Sequence, residues 1–303
     1  MNMKKLNRLL AAILLGGALA LPAPAVLAAG QQSFATPEAA MEAFGTAVLD
    51  SDEAALRAMF GANFRQLIPP AGAELRYEFI EAWAKSHKIE PDGDGRARIA
   101  AGQKGWTLPI PLEKTASGWR FDMKSGMDEI AIREIGRNEL AAIQVAKAYA
   151  DAQREYIAKD RNGDGVAEYA QKIASSAGKK DGLYWPSKAN EEESPLGRLL
   201  ADAAAEKGRK PGSYRGYSYR ILTAQGAAAP GGARDYIVNG HMTGGFGLLL
   251  WPASYGHTGI MSFMINQDGQ IYEKNLGAGT AAQAARIKTF NPDATWRKVT
   301  DNQ

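Results

Sequence analysis

The sequence predicts an α+β protein in two parts, and three observations carry that expectation. Apolar residues recur at helical spacing in short segments near the start, a longer helical pattern begins at Asn138, and the last third breaks into short alternating runs separated by Gly, Pro and Asn-rich turns. The expected layout is helices on an antiparallel sheet over residues 33–135, then a long helix packed on a second antiparallel sheet over 136–303. A chain of 303 residues is long for one compact core and comfortable for two domains of roughly 100 to 170 residues.

The first 28 residues read as a secretory signal peptide. Lys4, Lys5 and Arg8 form a basic start, Leu9 through Leu21 an apolar run, and Val26-Leu27-Ala28 a small-residue cleavage site. The whole chain carries 36 basic and 33 acidic residues, and loss of those three cations leaves 33 of each. A formally neutral mature chain argues against nucleic acid as a partner, since such binding needs clustered positive charge. The longest later apolar stretch, Phe246 to Trp251, is far shorter than the roughly 20 residues of a membrane helix and reads as a buried strand. No membrane span is therefore expected after signal cleavage, and the expected location is periplasmic or secreted. The chain has no cysteine, which excludes disulfides, thiolate nucleophiles, thiolate metal sites and a lipidated cysteine.

Thr36-Pro37-Glu38 is a helix start, with Thr36 as N-cap and Pro37 at the first helical position, and Ala40, Phe44, Ala47 and Val48 give that helix one apolar face. Asp50-Ser51-Asp52 restarts a second helix through Leu56, Met59 and Phe60, stopped by Gly61. A third is expected from Tyr77 to His87, before the turn at Pro91-Asp92-Gly93-Asp94-Gly95. Trp106 to Leu112 and Trp119 to Met123 read as an antiparallel pair. Pro109 and Pro111 each remove a ladder donor, so the first of the two is expected at an edge or bulged. From Asn138 a helix is expected to run to about Lys159. A loop-rich segment and a short helix from Pro195 to Ala205 follow, then strands around Tyr214–Leu222, Gly244–Pro252, Gly259–Ile265 and Gly269–Glu273.

Two or three N-terminal helices followed by strands ending in Gly118-Trp119-Arg120-Phe121-Asp122 resemble the cone-shaped fold of nuclear transport factor 2-like domains. A long helix, an acidic Gly-rich loop, Gly216-Tyr217-x-Tyr219 and Tyr255-Gly256-x-Thr258-Gly259 resemble the soluble module of type IV pilins and pseudopilins, although the apolar pilin helix with its processing signal is missing. Over its whole length the chain resembles a secreted bacterial family, domain of unknown function 2950. The motifs behind that resemblance are Phe34-Ala35-Thr36-Pro37-Glu38, Gly105 through Pro111, Ile135 through Leu140 and Gly244-Gly245-Phe246. That resemblance implies export and supplies no activity, substrate or catalytic residue.

The sharpest chemical motif is Asp160-x-Asn162-x-Asp164-Gly165, which matches the first half of a calcium loop: oxygen donors at alternate residues and a glycine for the turn. Val166 could add its carbonyl and Glu168 a further oxygen. Gln171, however, stands where a bidentate Glu is required, so a standard EF-hand is not expected. The candidate Ca²⁺ ligands are Asp160, Asn162, Asp164, Val166 and Glu168; the competing reading is a solvated acidic turn at a helix C-terminus. A hydrolase would pair His241 or His257 with Ser254 or Ser262 and a carboxylate such as Asp235, but no Gly-x-Ser-x-Gly elbow supports it. A zinc site from His241 and His257 lacks a third ligand that spacing can identify. Aromatics from Tyr184 to Tyr272 could form a platform for an envelope protein or glycan, or simply pack the sheet. The sequence thus favours a non-enzymatic binding or assembly module of a Gram-negative envelope with Ca²⁺ as a structural ion, the alternative being a periplasmic hydrolase.

Overall fold

The computed structural model describes residues 31–188, 190–197 and 213–300. The expected signal peptide lies outside these residues, as does most of the helix expected from Pro195. The fold is α+β, and the chain divides into two compact units, Met1–Met123 and Lys124–Gln303.

In the first unit, α1 (Pro37–Leu49) starts where Thr36 Oγ1 accepts the Ala39 N–H at 3.1 Å. Asp52 caps α2 (Glu53–Phe60) by accepting the N–H groups of Ala54 and Ala55, both at 3.0 Å. Each cap satisfies donors that the first helical turn leaves unpaired. A 3₁₀ turn (Phe64–Gln66) follows, then α3 (Glu74–Lys85). The third helix starts earlier than Tyr77 and stops before His87, because His87 already belongs to a strand that the sequence had not disclosed.

That strand, β1 (His87–Pro91), pairs with β2 (Arg96–Ala101) across the Asp92-Gly93-Asp94-Gly95 turn, where both glycines take positive φ. β3 (Trp106–Thr107) and β4 (Leu112–Thr115) both pair with β2, and β4 also pairs with β5 (Gly118–Phe121). Pro109 and Pro111 therefore break one strand into two pieces on the same neighbour: β3, which pairs with β2 alone and so lies at an edge, and β4, which lies between β2 and β5. Leu108 and Ile110 stay buried across the break. The core centres on Phe44, whose ring lies 5.7 Å from Phe60, 5.6 Å from Phe79, 6.1 Å from Trp83 and 5.9 Å from Phe121. Aromatic pairs of this kind add about 0.5–1.5 kcal/mol each beyond the area they bury.

In the second unit, α4 runs Met123–Ile157, beginning well before Asn138. Its first half has glycines at 126 and 136 and exposed Met127 and Ile132, so no apolar stripe announces it. The i,i+4 pair Glu129–Arg133 at 2.8 Å favours the helix there. Its second half presents Ile143, Ala146, Tyr149, Ala150 and Tyr156 to a sheet. Short pairs accompany that sheet: β8 (Ala224–Gln225) with β9 (Arg234–Asp235), and β10 (Ile237–Val238) with β11 (His241–Met242). The sheet itself holds β6 (Ser213–Tyr214), β7 (Tyr217–Leu222), β12 (Gly247–Pro252), β13 (Met261–Asn266), β14 (Tyr272–Asn275) and β15 (Arg297–Lys298), all antiparallel in the order 15-14-13-12-7-6.

Side-chain alternation explains the apolar run in β12. Leu248 and Leu250 join Phe263 and Ile265 against α4, while Leu249 joins Met264, Tyr272 and Phe290 on the opposite face, covered by α5 (Thr280–Arg286). Asn138 and Glu139 tie α4 to the turn before β13. Asn138 Nδ2 donates to Thr258 O at 3.1 Å, and Glu139 Oε1 accepts the N–H groups of Ile260 and Met261 at 2.8 and 2.9 Å.

Gly45 lies inside α1 against the Trp83 indole, where an added Cβ would stand 2.7 Å from Cε2 and closer still to Cζ2. Alanine favours a helix over glycine by about 1 kcal/mol, but forcing a methyl into a packed core costs about 1–3 kcal/mol. Gly45→Ala is expected to lower the thermal midpoint, and Trp83→Phe in the same chain to recover part of the loss.

Candidate functional site

The loop after α4 is fixed from both sides. Gln153, fully buried on α4, donates from Nε2 to Ala170 O at 2.8 Å and accepts the Ala170 N–H through Oε1 at 2.8 Å. One side-chain amide thus satisfies both backbone polar groups of a buried residue. The same Nε2 lies 2.9 Å from Tyr149 Oη, which reaches Gly247 O on β12 at 3.2 Å. At the helix end Arg161 folds back, donating to the carbonyls of Glu155 (2.9 Å) and Tyr156. Its guanidinium lies over the Tyr156 ring, 5.2 Å from the centroid, and a cation is what the negative end of a helix favours. Glu192 collects Lys159 and Lys180, each at 2.9 Å, with Arg161 at 3.5 Å. Hydrogen bonds from Lys159 and Lys180 lead the causes that hold its carboxyl down at about 2. Burial, with smaller contributions from the Glu168, Asp181 and Asp164 carboxylates, pushes the Tyr156 phenol up to about 12.

Within this frame the five residues of the expected calcium loop take different roles. Asp160 accepts the N–H of Gly163 through Oδ1 and of Gly165 through Oδ2, both at 2.8 Å, and those bonds hold its carboxyl below the usual range. Gly163 and Gly165 take φ of 76° and 84°, a turn that a β-carbon would strain. Asp164 Oδ1 accepts the Val166 N–H at 2.9 Å. Asn162 Nδ2 donates to Asp164 Oδ2 and to Glu168 Oε1, both at 2.7 Å, so one amide bridges the two carboxylates. Glu168 Oε2 accepts the Met242 N–H at 3.0 Å.

That last bond brings in a hairpin. Tyr169 N donates to Met242 O at 2.9 Å, and Gln171, the residue in place of the EF-hand glutamate, donates to Gly240 O at 2.8 Å. β10 and β11 turn through Asn239 (φ 54°) and Gly240 (φ 87°), the two positive φ values of the turn that Asn-Gly favours. His241 follows directly, with Nδ1 3.6 Å from Asp164 Oδ2 and 3.5 Å from Glu168 Oε2. Donor atoms of Asp164, Glu168 and His241 all lie within 4.8 Å of one another, and the three side chains could hold a metal ion. Asp160 is not part of that group. Asn239-Gly240 between Ile237 and Met242 is the sequence signal for the hairpin that carries His241.

The residues of the expected serine triad are not hydrogen-bonded to one another. No hydrogen bond joins Ser254 or Ser262 to His241 or His257: Ser262 Oγ is buried without a partner in β13, and His257 Nδ1 lies 3.4 Å from Tyr255 O. Asp235 is exposed in β9. Of the late aromatics, Trp185, Tyr217, Tyr236 and Tyr272 are buried, and Tyr184, Tyr214, Tyr219, Trp251 and Tyr255 are half-buried. Among the described residues, no helix is long and apolar enough to cross a membrane.

A family model described as a protein of unknown function, DUF2950, matches residues 31–299. The chain belongs to the DUF2950 family. No curated protein and no solved structure matches it. The match to DUF2950 takes in both compact units and the whole Asp164–Glu168–His241 group.

Replacing Gln153 by Leu would leave the Ala170 N–H and C=O buried without partners, at about 1–3 kcal/mol each. The expected result is a urea midpoint lowered by a stability loss of about 3 kcal/mol with an unchanged slope. For Glu192, a carboxyl held at about 2 against an ordinary 4.5 contributes stability that is present above pH 4.5 and lost as pH falls toward 2. Glu192→Gln should therefore melt lower than the parent at pH 7, and melting curves at successive pH values should converge below pH 4.5.

Proposed function

We propose that this protein is an exported, non-enzymatic envelope module in which a divalent cation clamps the loop 160–168 to the hairpin 237–242. The observation that carries the reading is the convergence of Asp164, Glu168 and His241 from two segments distant in sequence. Among the described residues no Lys or Arg forms a salt bridge with either carboxylate. Two adjacent carboxylates with no Lys or Arg beside them, and only an imidazole within reach, favour a cation at that point. The oxygen-rich sequence of the loop is what suggests Ca²⁺, but Asp160, with both oxygens on backbone N–H groups, shapes the turn and is not one of the three converging donors.

Export rests on the basic, apolar and small-residue order of the first 28 residues. In this reading the second unit works as a pilin-like module, a long helix over an antiparallel sheet, and the first as a nuclear transport factor 2-like scaffold whose interior is filled by the aromatic cluster around Phe44. Contacts with an envelope protein or glycan would then fall on exposed side chains such as Tyr77 and Trp106, not on the aromatics of the last third.

Thermal unfolding checks the clamp. Chelator should lower the midpoint and excess divalent cation restore it, by about 2.7 kcal/mol at a hundredfold excess over the dissociation constant, and Asp164→Ala should remove the response. A midpoint indifferent to chelator and to every divalent cation at millimolar concentration would leave the loop as an acidic turn. Cell fractionation tests export: the chain should leave the cytoplasm shortened near Ala28.

A further inference from the structure

His241 changes which metals the loop can prefer. The carboxylates of Asp164 and Glu168 suit any hard divalent cation, but the third donor is an imidazole nitrogen. Calcium takes six to eight oxygens, whereas imidazole suits zinc, copper, iron and nickel. The nitrogen itself supplies a separate observation: Nδ1 of His241 is buried and makes no hydrogen bond. A protonated ring donating to a carboxylate would sit about 2.7–2.9 Å from the oxygen. Here the separations are 3.6 and 3.5 Å. Ligands about 2.0–2.2 Å from a tetrahedral ion lie about 3.4 Å apart, so the two separations from the imidazole nitrogen match those between ligands of one such ion.

The surroundings hold the donors in place. The Met242 N–H and the Asn162 amide orient Glu168, the Asn162 amide and the Val166 N–H orient Asp164, and the Asn239-Gly240 turn sets the position of His241. We infer that Asp164, Glu168 and His241 form a three-ligand site for a borderline divalent transition metal of the zinc class, with water in the fourth position. This rests on the cation-clamp reading and specifies its metal.

The test compares Zn²⁺, Mn²⁺ and Ca²⁺, each added to chelator-treated protein, by thermal unfolding of the full chain and of His241→Ala, His241→Gln and His257→Ala. Zn²⁺ is expected to raise the midpoint at concentrations where Ca²⁺ does not. Both His241 variants should weaken Zn²⁺ binding about a hundredfold or more, at the upper end of what loss of an orienting neighbour alone costs, and His257→Ala should behave as the parent. Co²⁺ added to the parent protein should give the strong visible absorption of a low-coordinate site with nitrogen and oxygen ligands, a readout that does not depend on any variant folding. A Ca²⁺ response equal to that of Zn²⁺, kept in His241→Ala, would overturn the inference and leave the cation clamp standing. Absence of any metal response, together with no Co²⁺ absorption, would overturn both.

Discussion

The second unit depends on one amide. Gln153 gives both of its hydrogen-bonding ends to the backbone N–H and C=O of Ala170, and through that pair the chain leaving α4 is held back against the helix. Everything downstream inherits the constraint. With Ala170 fixed, Tyr169 reaches Met242 and Glu168 reaches the adjoining N–H, so the hairpin is positioned by bonds that begin on the helix. A buried glutamine is costly unless every polar group finds a partner. Here its amide oxygen and nitrogen are both engaged, and the arrangement therefore specifies one geometry and penalises its neighbours.

Electrostatics around the helix end are divided in two. On one side Arg161, Lys159 and Lys180 gather at Glu192, and the guanidinium lies on the C-terminal carbonyls where the helix dipole calls for positive charge. On the other side Asp164 and Glu168 face each other across a neutral amide and a histidine. The first cluster is neutralised by the protein itself. The second is not, and the proposed cation is the counterpart that Arg161 cannot be, because its side chain is packed over Tyr156 and Trp185.

Much of the architecture was legible in sequence. α1 and α2 carry their caps in plain sight, Thr36 and Asp52, and Gly61 stops the second helix as written. β12 and β13 are apolar enough to read directly. β2 was hidden because Ala97, Ala100 and Ala101 bury little surface and carry weak strand preference. The first half of α4 was hidden because Gly126, Gly136 and the exposed Met127 and Ile132 leave it no apolar stripe, and it runs on into the packed half, which periodicity does not detect. The loop at 160–168 was legible as a turn with oxygen donors. Its relation to His241 was not, since spacing along the chain cannot say which distant hairpin a glutamate will meet.

On one side the six-stranded sheet ends in a strand of two residues, Arg297–Lys298. An edge this short offers few free backbone groups to an incoming strand, and Arg297 and Lys298 put like charges on it. That side of the sheet is thus poorly suited to recruiting a further strand, and a copy of this unit meeting another there would find positive charge before it found free backbone.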